Sequence, residues 1–273
     1  MITKEQIKRN IIQILAITEK NYKISIRYKF SLVFSYVSPL ISFIFPFIIM
    51  GSLFSFQENY GPWNAENYVI YIFIGYNILL LERIMHSLSS QFLSEKYWLT
   101  LQAIMIAPFN RFNLLLGYVL SHIIEIIFPF SIFIILCYIF FPISLLTIIM
   151  ILFLMGCLLL SFSGLGFIIA VYNISNENIA QIVNFCLSMF LLFSCLSYPY
   201  EIFPSYIQFF VNKNPIYYLI DIVRLTWLEN DIFFTLTNHP IHFLILIIFL
   251  FLLPTSGIYI FNYIFKKYGI TGY

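Results

Sequence analysis

The chain has 273 residues, of which 61% are hydrophobic and 10% charged, with a mean hydropathy of +0.92 and a formal net charge of +2. A soluble domain carries about 25% charged residues, so this composition excludes a domain with a water-facing surface of its own. The apolar runs are too continuous for barrel strands, which alternate with a period of two, and a bundle of membrane-spanning helices of about 20 residues each is predicted.

Residues 1–28 are predicted to form an amphipathic helix on the cytoplasmic interface. Ile7, Ile11, Leu15, Tyr22 and Ile26 recur on one stripe with lysines between them, and Thr3 with Gln6 suits a capping box. Lys4, Lys8, Arg9, Lys20, Lys23, Arg27 and Lys29 are spread through this region. A cleavable leader is therefore not expected, and insertion falls to the first span. Residues 29–273 are read as one six-span membrane domain, with spans near 30–55, 67–90, 112–141, 143–172, 177–198 and 241–265. A single helix over the apolar run 112–172 would reach about 90 Å. A corner is placed at Phe141-Pro142-Ile143, where proline removes the helical donor. A second break is placed at 173–178.

Between spans 2 and 3, Glu95 to Pro108 is too polar at its start to cross and reads as an amphipathic cytoplasmic helix presenting Leu101, Ile104 and Met105. Between spans 5 and 6, Pro199 and Pro204 interrupt an apolar run, and residues 207–211 resume it too briefly to cross. Asn214-Pro215 then opens an amphipathic stretch to Trp227. Short apolar elements that dip and return need protein or water to satisfy their backbone, so an external re-entrant hairpin is expected. Six spans put both termini on one side with twelve of the fourteen Lys and Arg, Arg83 among them, leaving Lys213 and Arg224 opposite. Cations concentrate on the cytoplasmic side, so both termini are expected in the cytoplasm and the chain in the cell membrane.

Glu95-Lys96, Thr100-Leu101, Pro108 and Leu116-Gly117, followed by Phe203-Pro204, Asn214-Pro215 and Arg224, stand in the order and spacing found in permease subunits of type-2 ABC exporters. The chain resembles that family over essentially its whole length. Leu99 replaces the family glycine before Thr-Leu, and Tyr97 and Trp98 replace its charged positions. The resemblance implies a dimer of permeases that forms the path and docks on separate ATPase subunits carrying the ATP and Mg. Consistently, the chain has no Gly-Lys dipeptide and so no phosphate-binding loop. Glu95, Thr100, Leu101, Ile104, Met105 and Pro108 would form the coupling helix, with Asn173 and Asn176 as a second contact. Helix-in-groove docking is an ordinary way to transmit force.

Polar groups inside the spans are costly and generally face the bundle interior or water. Glu125 lies about 20 Å along the third span, while Glu82, Arg83 and His86 end the second and His122 precedes Glu125 by one turn. One reading is a polar cluster on the substrate path or gate. The other is a structural pair of Glu125 with Arg83 or His86. The 32 Phe and 20 Tyr suit either an aromatic channel lining for sugars or interfacial belts. Gly156, Ser161, Ser163, Gly164, Gly166 and Ala170 make the fourth span small along one side, for close helix approach. The four cysteines read as buried packing, and the 239–242 histidines as no metal site. No catalytic residue, no cofactor bound by this chain and no nucleic-acid partner are expected. The partners would be an ATPase subunit, a second permease copy and lipid. The substrate would be a polysaccharide or lipid-linked glycan, or a drug or lipid. An ion-coupled secondary transporter would show internal repeats, and a transferase acting on lipid-linked substrates would need convergent acids. Neither pattern is visible.

Overall fold

The computed structural model describes residues 4–56, 58–100, 103–104, 110–175 and 177–268. Among these the regular structure is helical apart from one small hairpin. In chain order, α1 (Lys4–Arg27) and α2 (Lys29–Phe56) lead to β1 (Asn59–Tyr60) and β2 (Trp63–Asn64), then α3 (Tyr68–Glu82) and α4 (Ile84–Tyr97). Next come α5 (Arg111–Phe140), α6 (Leu145–Ser175) and α7 (Glu177–Leu192). A 3-10 turn at Tyr200–Ile202 then precedes α8 (Ser205–Val211), α9 (Pro215–Glu229), α10 (Ile232–Asn238) and α11 (Pro240–Tyr268). The strands are antiparallel, Asn59 facing Asn64 and Tyr60 facing Trp63.

Five of the described helices are long and apolar enough to cross a bilayer: Leu32–Phe56, Tyr68–Tyr97, Arg111–Phe140, Leu145–Ile174 and Pro240–Ile264. The predicted second span ends too early. Its rod continues to Tyr97, because Arg83 keeps helical angles and its N–H still bonds the Leu79 carbonyl at 3.2 Å. Arg83, which the predicted bounds 67–90 already contain, lies within this rod and drops out of the count of cytoplasmic-side cations. The segment expected as the fifth span forms a helix of 16 residues, about 24 Å long. Its apolar part, Gln181–Leu192, is shorter than the five others.

α3 and α6 form the centre. Ile74, Ile78 and Leu80 have no exposed surface, nor do Leu158 and Phe162 on α6. α6 carries the small residues read from the sequence, and two of them make close crossings. A Cβ on Gly164 would lie 2.4 Å from the Leu253 carbonyl carbon of α11, beside Pro254, and one on Gly166 would lie 2.9 Å from the Met85 Cα of α4. Gly156 faces open space. Close to these crossings, Phe92, Phe167 and Phe261 meet at centroid distances of 5.4–5.7 Å and join α4, α6 and α11. The tilted and edge-on ring pairs add to the area they bury.

α2 is nearly bare, touching its neighbours along Pro46, Met50 and Phe54 at helical spacing. Cys137, Cys157 and Cys195 are buried free thiols, but Cys186 is exposed, against the expectation of packing for all four. It sits on α7, which keeps one side open.

Gly164→Ala is expected to destabilise the detergent-solubilised protein by about 1–3 kcal/mol through backbone overlap. Gly156→Ala should instead stabilise it by up to about 1 kcal/mol through helix propensity alone. Thermal unfolding of the two variants side by side checks the opposite signs.

Candidate coupling and translocation sites

α1 does more than lie on an interface. Its apolar stripe of Ile7, Ile11, Leu15, Tyr22 and Ile26 is exposed, as a lipid-facing stripe requires. The face beside it is buried on α5 through Ile17, Thr18 and Asn21. Thr18 Oγ1 donates to the Gly117 carbonyl at 3.2 Å, and Ile17 sits where a Cβ on Gly117 would stand. The Asn113 amide donates to Asn10 Oδ1 at 3.0 Å and Gln13 Oε1 at 2.7 Å. On the open side Glu19 accepts from Lys23 at 2.6 Å, which holds its carboxyl below the usual carboxylate range. Thr3 of the expected capping box lies outside the described residues.

The segment predicted as one helix from Glu95 is divided. Glu95, Lys96 and Tyr97 close α4, because Trp98 leaves helical angles and Leu99 adopts a positive φ of 59°. Only glycine visits that region without cost, and Leu99 is the position where the family glycine was missed. The turn is held by its neighbours. Glu95 is 3% exposed and accepts hydrogen bonds from Lys20 of α1 and from the Thr100 hydroxyl. The Lys96 ammonium donates to the Ile174 carbonyl near the end of α6 at 2.9 Å. Ile104 resumes a helical bond to the Thr100 carbonyl at 3.1 Å and shares a cavity wall with Ile17, Leu114 and Tyr118. Leu101, Met105 and Pro108 lie outside the described residues, as does Asn176. Asn173 is still within α6, and its amide donates to the Ser89 hydroxyl on α4.

Farther into the bundle, Glu125, Arg83, His86 and His122 converge on one cavity of about 360 Å³ with Ser35, Tyr36 and Ser87. The residues read as a polar cluster are thus brought together. The ion pair of Glu125 with Arg83 or His86 does not form among the described residues. Glu125 Oε2 instead accepts from Ser25 at 3.4 Å, and Tyr36 donates to the Glu125 carbonyl. His86 pairs with Glu82 at 3.5 Å, one turn away on the same rod. Glu82 is buried and lies outside the cavity wall. His122 Nε2 donates to the Leu80 carbonyl at 3.0 Å, and Ser25, Ser35 and Tyr36 were invisible as partners because they come from α1 and α2.

At the opposite end Arg224 organises the loops. It has no exposed surface and donates through Nη1 to the Cys195 carbonyl at 2.7 Å and through Nη2 to the Leu196 carbonyl at 2.6 Å. Its guanidinium lies 3.5 Å from the Tyr71 ring centroid, and the Tyr71 hydroxyl donates to the same Cys195 carbonyl. Asn214 caps α9 through a bond from the Ile216 N–H, with Pro215 at the first helical position. Pro199 and Pro204 precede the 3-10 turn and α8.

A family model described as ABC-2 type transporter matches residues 12–228, from within α1 to near the end of α9. The chain belongs to the ABC-2 type transporter family. It is a multi-pass membrane protein and the permease component of an ABC-type transporter, from a family whose members normally pair with an ATPase subunit. No curated protein matches the chain. The matched span holds all three sites of this permease and stops short of α11.

Leu99 is 77% exposed, so Leu99→Gly should relieve the strained turn and stabilise the permease by up to about 1 kcal/mol. Arg224→Met leaves carbonyls unpaired in a buried site and should cost about 3 kcal/mol. Melting temperatures of the two variants in detergent are expected to move in opposite directions.

Proposed function

We propose that this chain is the translocation subunit of an ATP-driven exporter in the cell membrane, working as two copies with a separate ATPase subunit that binds the ATP and Mg. The observation that carries this reading is the knot at Glu95. Lys20 and Thr100 converge on it while Lys96 reaches α6, so a push on the 95–104 turn is passed to α1, α4 and α6 together. Residues 101–108 would then be the lever that enters the ATPase groove, and the turn around Asn173 and Asn176 would sit beside it.

Six crossings follow if α7 counts as a span. It starts beside the Lys96 end of α6 and finishes at Leu192, three residues before Cys195, whose carbonyl is bonded at the Tyr71 end. Arg224 and Tyr71 satisfy carbonyls just past its last turn, which lets a short helix suffice. Residues 199–229, with Pro199, Pro204 and Asn214-Pro215 at their corners, would dip into the outer leaflet and return. The cytoplasmic side is assigned to both termini from the cation bias, which survives the removal of Arg83. The polar cavity of Glu125, Arg83 and His86, next to Glu82, would take the polar part of a substrate such as a lipid-linked glycan, or act as its gate. The bare flank of α2 is the surface available to a second copy or to lipid.

The test is purification of the tagged chain from its own membranes in mild detergent. A stoichiometric ATPase subunit is expected, and it should be lost from a Leu101→Arg, Met105→Arg variant that still folds. Recovery of the chain with no nucleotide-hydrolysing partner would overturn the reading.

A further inference from the structure

A second cavity, separate from the polar one inside the bundle, opens at the outer end of the molecule. It has a volume of about 250 Å³, larger than the roughly 150 Å³ that encloses benzene in an engineered core. Five pieces of chain meet there. β2 supplies Trp63, α3 supplies Tyr71, the 3-10 turn supplies Tyr200 and Glu201, and α9 supplies Tyr217 and Asp221. His239, between α10 and α11, and His242, in the first turn of α11, close the wall.

The wall combines two chemistries. Four aromatic rings line it, with Trp63 edge-on to Tyr71 at 4.9 Å and Tyr200 stacked on Tyr217 at 5.7 Å. Two carboxylates face the same space from different elements. Asp221 lies 3.3 Å from His242, and His239 is held by Glu229 at 3.1 Å. Glu201 stands at the exposed rim and has no cationic partner among the described residues. The adjacent Arg224 is not in the cavity wall; its Nη1 and Nη2 donate to the Cys195 and Leu196 carbonyls and its guanidinium lies against the Tyr71 ring. Glu201 is also held in place: a Cβ on Gly61, whose φ is +60°, would lie 2.2 Å from its Oε1.

We propose that this outer cavity is a binding site for a small organic ammonium ion, seated against the Trp63, Tyr200 and Tyr217 rings with Glu201 and Asp221 as its counter-charges. Aromatic faces attract cations through their quadrupole, most strongly when desolvated, and aromatic cages are the recurring solution for quaternary ammonium groups. The two carboxylates add a Coulombic attraction for a cation, with Asp221 also paired to His242 and Glu201 free of a cationic partner among the described residues. A neutral sugar could use the rings but would gain nothing from an unpaired carboxylate at the mouth. The proposal does not depend on the exporter reading, since it concerns equilibrium binding by the purified chain without an ATPase.

Choline is the probe, glucose the neutral comparison, and tryptophan emission the readout, because Trp63 is in the wall; ionic strength is held constant with sodium chloride. Choline should change the emission saturably with a dissociation constant of about 1–10 mM, and glucose should not. The double variant Glu201→Gln, Asp221→Asn keeps every tryptophan and should bind choline about tenfold more weakly, equivalent to about 1.4 kcal/mol. Glu201→Gln alone, at an exposed position, should weaken binding measurably with an unchanged melting temperature, and it decides the matter if the double variant fails to fold. No saturable response, an equal response to glucose, or full choline binding after Glu201→Gln would overturn the proposal.

Discussion

A buried guanidinium sets the terms for the end of this permease that carries α8, α9 and α10. In hydrocarbon each unsatisfied carbonyl costs several kcal/mol, and at the end of α7 the Phe190 carbonyl is met by the Asn214 amide and the Leu191 carbonyl by Ser194. Arg224 takes two of the carbonyls that follow, and Tyr71 reinforces one of them. With those groups satisfied the chain can leave the helix early, turn at Cys195 with a positive φ of 57°, and build short helices where a longer span would otherwise be needed. The planar fork of an arginine suits this task, because it presents two parallel donors that a lysine cannot. The aromatic cavity beside it is a consequence: Tyr71 is fixed by Arg224, and Trp63, Tyr200 and Tyr217 gather around it.

The opposite end is ordered by the reverse arrangement, a buried carboxylate with donors around it. Glu95 is the terminus of one helix, the anchor of the amphipathic α1 and the brace of the following turn. Neither end could be built from one helix alone. α1 contributes Lys20 and Ser25, α2 contributes Tyr36, and their partners lie 75 to 100 positions away in the chain. This explains how a polar cavity persists among apolar helices: α2 supplies Ser35 and Tyr36 and α4 supplies Ser87 to its wall, while Ser25 of α1 bonds Glu125.

The chain also separates helices that cross closely from one that barely crosses at all. α6 meets α4 and α11 through Gly166 and Gly164, where backbone stands against backbone, and packing density rather than polar contact holds the centre. α2 offers long aliphatic and aromatic side chains to its surroundings and meets the rest along Pro46, Met50 and Phe54 and, nearer its start, through Ser35 and Tyr36. An isolated helix of that kind is stable in lipid because all its backbone bonds are internal.

How much of this was legible in the sequence follows from the range of each interaction. Membrane residence, helical class, the corner at Pro142, the amphipathic leader and the family motifs depend on composition and local period, so the residues state them directly. Arg83 was counted with the cytoplasmic-side cations although the predicted bounds 67–90 already contain it, and the helix runs on past it because a guanidinium can stay helical where a cavity receives it. Glu95 was assigned to the wrong helix because only the left-handed Leu99, which the sequence does not mark with glycine, separates the two. The shortness of α7 was hidden in a continuous apolar run. The convergence of Lys20 on Glu95, of Tyr36 on Glu125 and of Arg224 on Cys195 was out of reach. Such pairs are decided by which helices become neighbours, and that choice comes from the summed packing of glycines and rings across the bundle, which no local period encodes.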